Sequence, residues 1–197
     1  GKWFTNTVTI IGILVSLALS TLLLQILIHD PSQVLNQSIY TWMTIGELKF
    51  ELGFLIDNLT ASMMFVVSFV SLMVHIYTIG YMKNDPGYHR FFTYISLFTF
   101  SMLSLLMANN FLQLFFGWEA VGVMSYLLIG FWYTKPSAIK ANFKAFIINR
   151  VGDFSLLLGI ALLFVNLGTL DYILIFNEAE TLSNIPITNS SSSNIST

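Results

Sequence analysis

Four ionisable side chains fall inside stretches where hydrocarbon dominates. Glu119 lies in "FFGWEAVGVMSYLLIGFW" (115–132), Arg150 and Asp153 in "KAFIINRVGDFSLLLGIALLF" (144–164), and His75 in "MVHIYTIGYM" (73–82). An ionised side chain near the centre of a bilayer costs about 2.5–3.5 kcal/mol on insertion scales, so each of these needs a partner, a proton or a wet cavity. Glu119 sits about 4 Å from the middle of its run at 1.5 Å per residue. There, desolvation favours the protonated carboxyl unless a cation approaches, which makes Glu119 a candidate for reversible protonation. Gly122 and Tyr126 follow at i+3 and i+7, so the carboxyl is expected to face a helix interface. The alternative is a permanently neutral Glu acting as hydrogen-bond glue between helices.

Arg150 and Asp153 are three residues apart on one helix face, with Asn149 beside them, so an intrahelical ion pair is available. Such a pair either neutralises itself or exchanges partners and thereby tunes a neighbouring carboxylate. His75 belongs to a stripe, Ser68, Ser71, His75 and Thr78, on one face of its helix. Packing accounts for the hydroxyls. The histidine, whose unperturbed pKa is near 6.5, is either a packing residue or a proton carrier. Asp57, just ahead of the second run, reads as a helix N-cap.

The elements that must position these groups are membrane spans. Of 197 residues, 55% are hydrophobic and 9% charged, and the mean hydropathy is +0.76, whereas a soluble domain is about a quarter charged. The chain is an integral membrane protein. Five runs approach the roughly 20 residues a crossing needs, near 7–28, 59–79, 91–107, 111–132 and 142–167, which gives an all-α transmembrane bundle. The turn "ANN" between the third and fourth predicts a tight antiparallel pair. Between the first two runs, "SIYTWM" and the alternating "ELKFELGF" with Gly46 as a turn predict a small hairpin on the membrane surface. Residues 1–176 are thus one membrane domain, and the Ser/Asn-rich 177–197 is expected to be a disordered tail or linker.

Five crossings put Lys2, Lys83, Arg90, Lys135, Lys140 and Lys144 on one side and only Lys49 on the other. The positive-inside rule places the first side in the cytoplasm or the mitochondrial matrix. Asp30, Glu47, Glu51, Asp57, Asp171, Glu178 and Glu180 fall opposite. There is no cysteine, which excludes disulfides, thiolate metal sites and iron–sulfur ligation in this chain. Nucleotide-binding loops, metal motifs and a basic nucleic-acid surface are absent as well.

"VHIYTIGYM", "RFFTYISLFTF", "NNFLQLFFGWEAVGVMSYLLIGFWYT" and "KAFIINRVGDFSLLLGI" resemble, in order and spacing, chain 5 of proton-pumping NADH:ubiquinone oxidoreductase, the distal antiporter-like membrane subunit of respiratory complex I. The likeness runs from about Phe54 to Leu170. It implies proton translocation across a mitochondrial or bacterial inner membrane, driven by redox chemistry elsewhere, with NADH, flavin, iron–sulfur clusters and ubiquinone on partner subunits and no cofactor in this chain. It implies that Glu119 is the protonatable residue of a first half-channel, that Arg150 and Asp153 form the charged pair beside it, and that His75 is a further relay position. The family pattern has one more helix before "GKWF" and many after, including one with a central Lys. The sequence is therefore expected to be a fragment, its missing helices supplied by another chain or a further segment, packed among other membrane-arm subunits and lipid. Two other classes share the motifs: a subunit of a multi-subunit cation/proton antiporter, and a structural membrane scaffold that no longer conducts.

Overall fold

A computed structural model describes residues 1–30, 33–45 and 48–183. In chain order the elements are α1 (Lys2–His29), β1 (Leu35–Ile45), β2 (Leu48–Ile56), α2 (Asn58–Tyr81), α3 (Tyr88–Leu106), α4 (Phe111–Ile129), α5 (Pro136–Leu167) and α6 (Tyr172–Ser183). The protein is mostly helical, with one two-stranded antiparallel sheet. α1 packs on α2 and α3, α2 on α3, α3 on α4, and α4 on α5.

Among the described residues four helices, α1, α2, α4 and α5, are long and apolar enough to cross a membrane. α3 is a helix where a fifth crossing was expected, but it is not among the four. It begins "YHRFF", and this polar first turn dilutes a segment of 19 residues, about 28 Å at 1.5 Å per residue. α5 starts six residues ahead of the expected run. Pro136 occupies the first turn, where its missing N–H is no loss, and the helix continues through the exposed Lys140 and Lys144 before its apolar stretch. It ends at Gly168, whose φ of +69° is a left-handed cap that glycine adopts without Cβ strain.

The hairpin forms with register Leu35↔Ile56 to Ile45↔Leu48, broken by irregularities at Ser38/Tyr40 and Thr41/Met43. The expected Gly46 turn lies outside the described residues. The α3–α4 turn ties this hairpin down. Gln113 accepts from Gly53 N at 3.1 Å and donates to its carbonyl at 3.0 Å, Asn110 donates to Glu51 O at 2.9 Å, and Leu55 N donates to Met107 O at 3.1 Å. A Cβ on Gly53 would fall on the Asn109 amide, which would have to move aside. Asp57 caps α2 as expected, accepting from Thr60 N at 2.7 Å.

α6 corrects the expected boundary at Asn177: the helix runs from Tyr172 through Ser183. Asp171 Oδ1 caps it, accepting from Ile173 N at 2.9 Å. Tyr172 packs its ring edge-on against Phe111 with centroids 4.7 Å apart, and burial pushes its phenol up to about 12. This cap and aromatic anchor start a helix inside 1–176 that runs on into the stretch composition alone reads as linker. Residues 184–197 lie outside the described set.

The elements converge at two ends. At one, Lys2 Nζ donates to Lys83 O at 2.7 Å and Arg90 donates to Phe131 O at 3.1 Å, so the α1 start, the α2–α3 turn and the α4–α5 turn meet. The core cluster of Met82, Tyr88, Phe92, Ile95 and Phe131 lies there. Asp85 in the α2–α3 turn is held below the usual carboxylate range, chiefly by the Trp132 indole N–H and then by Gly87 N–H. At the other end lie the hairpin, the α3–α4 turn and the start of α6, joined through the Asn110↔Asp171 bridge.

The tight α3–α4 pair depends on Gly117. A Cβ there would approach Leu105 Cα at 2.8 Å, a backbone contact that only helix separation can relieve. Gly117→Val is expected to cost about 1–3 kcal/mol, the usual cost of overpacking. A drop in the thermal midpoint of the assembled protein is the measurement.

Candidate functional site

α4 and α5 face each other with only Gly117 on the first, and Asp153 and Ile160 on the second, buried within this chain. The facing surfaces bring together three of the four expected residues. Arg150 Nη1 lies 2.7 Å from Glu119 Oε2 and 3.4 Å from Asp153 Oδ2, and 3.0 Å from Glu119 Oε1. The expected intrahelical pair is present, but the shorter contact crosses to α4. One guanidinium serves two carboxylates, so with all three ionised the trio carries a net charge of −1.

The surroundings fix the trio. Arg150 lies 5.1 Å from the Phe146 ring centroid, and Tyr126 packs on the same ring at 5.4 Å. Tyr126 thus shares a ring contact with the arginine. Asn149, Gly122, Ser125, Trp118 and Asp153 line a cavity of about 120 Å³ beside the trio. Val121 completes a lining that is mostly apolar, with Ser125, Asn149 and Asp153 as its polar members.

Sequence reasoning missed Trp118. Its indole Nε1–H donates to Asp153 Oδ1 at 2.8 Å across the helix interface. Its place beside Glu119 was visible, but consecutive helix residues point to different faces, so adjacency did not predict the contact.

His75 is not part of this constellation. It is fully buried between α2 and α3. Its Nδ1 lies 2.8 Å from Ser71 O, which accepts only, so Nδ1 carries a proton, and Nε2 lies 3.1 Å from Ser96 Oγ. Ser71 Oγ meets Thr99 Oγ1 at 2.6 Å. The stripe therefore meets two helices. Ser68 reaches Ser20 of α1 at 3.4 Å, and Ser71 and His75 turn to α3. His75, Ser71 and Thr99 line an otherwise apolar cavity of about 430 Å³.

The family model described as NADH-ubiquinone oxidoreductase (complex I), chain 5 N-terminus, matches residues 42–92. The one described as NADH:quinone oxidoreductase/Mrp antiporter, TM, matches residues 108–195. The NADH-quinone oxidoreductase subunit L of Neisseria meningitidis is 59% identical over 169 residues, 85% of this chain and 25% of that one. The NADH-ubiquinone oxidoreductase chain 5 of Dictyostelium citrinum is 48% identical over 169 residues, 86% of this chain and 25% of its own length. The chain thus spans about a quarter of the relatives it matches. The solved archaeal membrane-bound sulfane sulfur reductase, a respiratory membrane complex, contains a chain of similar fold, with a TM-score of 0.65 over 88% of this chain and 27% of that one, at 18% identity.

Proposed function

Because this chain belongs to the family of chain 5 (subunit L) of NADH:quinone oxidoreductase, which its second family model groups with Mrp antiporters, we propose that it is part of the proton-translocating membrane arm of respiratory complex I. In this reading NADH oxidation by quinone occurs on partner subunits, and the chain supplies a proton path across a mitochondrial or bacterial inner membrane. Glu119 takes up the proton, and Arg150, by moving between Glu119 and Asp153, alters how readily it does so. The observation that carries the reading is the single Arg150 Nη1 set between two carboxylates.

The crossings are α1 to α5. α3 counts as the fifth because it runs between the same two ends as its neighbours, from Arg90 beside Phe131 to Met107 beside Leu55. The end that gathers Lys2, Lys83, Arg90 and Lys135 faces the matrix or cytoplasm. His75 joins the path as a separate polar station between α2 and α3.

A cation/proton antiporter subunit is the second reading, favoured by the description of the second family model. Purification of the chain from its native membrane distinguishes them. The complex I reading predicts copurification with flavin- and iron–sulfur-containing subunits and NADH-dependent quinone reduction. Isolation with membrane subunits alone would favour the antiporter.

A further inference from the structure

The four groups at the α4–α5 seam form a complementary array. Trp118 and Glu119 are consecutive on α4, a donor and an acceptor. Arg150 and Asp153, three apart on α5, are a donor and an acceptor. The indole takes the carboxylate of α5 at 2.8 Å, and the guanidinium takes the carboxylate of α4 at 2.7 Å. Asp153 Oδ1 is committed to Trp118, and only Oδ2 is turned to Arg150, at the longer distance of 3.4 Å. Trp118 is itself substantially exposed in this chain, at 46%, so a packing role for its ring is the smaller part of what it contributes here.

We propose that Trp118 is a positioning residue: by occupying Asp153 Oδ1 through its indole N–H, it keeps Asp153 from taking Arg150 outright and sets the guanidinium on Glu119. Without that donor, Asp153 is free to present both oxygens to Arg150, three residues away on its own helix. The arginine then rests on the wrong carboxylate. The inference deepens the proton-translocating reading of Glu119 and rests on it.

The test uses the assembled oxidoreductase containing this chain, reconstituted in vesicles, with proton uptake measured per NADH oxidised. Trp118→Phe keeps an aromatic ring and removes the N–H. It is expected to lower pumping about tenfold, the equivalent of one lost hydrogen bond to a charged group. Trp118→His, which restores a ring N–H, is expected to recover most of the loss. Trp118→Phe added to Asp153→Asn is expected to cause no further loss, because the residue acts through Asp153. Wild-type pumping by Trp118→Phe, or losses that multiply in the double variant, would overturn the proposal. Should Trp118→Phe fail to assemble, Trp118→His carries the test, and a tenfold loss in that assembled variant overturns it. Glu119→Gln in the same assay separates the two levels. If it pumps normally, the reading of Glu119 fails. If it is inactive while Trp118→Phe is normal, only the role of Trp118 fails.

Discussion

Replacing Arg150 by methionine is expected to cut proton pumping by the assembled complex at least about tenfold and to reduce the yield of assembled complex. The guanidinium lies within 3.4 Å of oxygens on both Glu119 and Asp153, and its removal leaves two carboxylates without the cation between them. Breaking a buried ion pair costs about 3–5 kcal/mol, and an exposed pair at most about 1. The Arg150 side chain is 44% exposed in this chain, which puts the stability cost between these limits. With the cation gone, nothing remains to move between Glu119 and Asp153, which is the step the proposed relay uses. Arg150→Lys restores a point charge without the planar guanidinium and is expected to recover assembly and part of the pumping. Arg150→Met combined with Asp153→Asn leaves only the Glu119 carboxylate, which brings the net charge back from −2 to the −1 of the wild-type trio. It is expected to assemble better than Arg150→Met alone and still to pump poorly. Native gel yield and vesicle pumping separate the two effects, and equal recovery of both by the double variant would contradict the shuttling role of Arg150.

The helices were legible because a membrane crossing demands a long apolar run, and such runs are visible without tertiary information. Their ends were less so. α5 begins at Pro136, before Lys140 and Lys144, because a helix continues through exposed lysines as readily as through leucines, while hydropathy registers only the apolar part. α6 runs past Asn177 from a start fixed by the local Asp171 cap and by the Tyr172–Phe111 contact, and the second of these depends on a partner more than 50 residues away in sequence.

At the site, spacing gave the Arg150–Asp153 neighbourhood, because i and i+3 share a face on any helix. Spacing carried no information on which oxygens the guanidinium prefers. That preference arises from the crossing of α4 over α5 and from Trp118, a residue whose type gives no warning of ionic chemistry. For His75 the period of α2 identified the face. Only the packing shows that this face meets Ser96 and Thr99 of α3, away from the carboxylates.

The central claim is that Glu119 binds and releases a proton during turnover. The neutral isostere Gln keeps the side-chain shape and one acceptor toward Arg150 Nη1, now 2.7 Å from Glu119 Oε2, and removes only the ability to titrate. A helix-gluing Glu tolerates that change, since an amide bridges helices as well as a protonated carboxyl does. A proton-binding Glu does not. The decisive measurement is proton uptake per NADH oxidised by vesicles carrying fully assembled Glu119→Gln complex, beside wild type in the same preparation. The account predicts assembly at the wild-type level with pumping reduced at least about tenfold. Wild-type pumping by that assembled variant would contradict it.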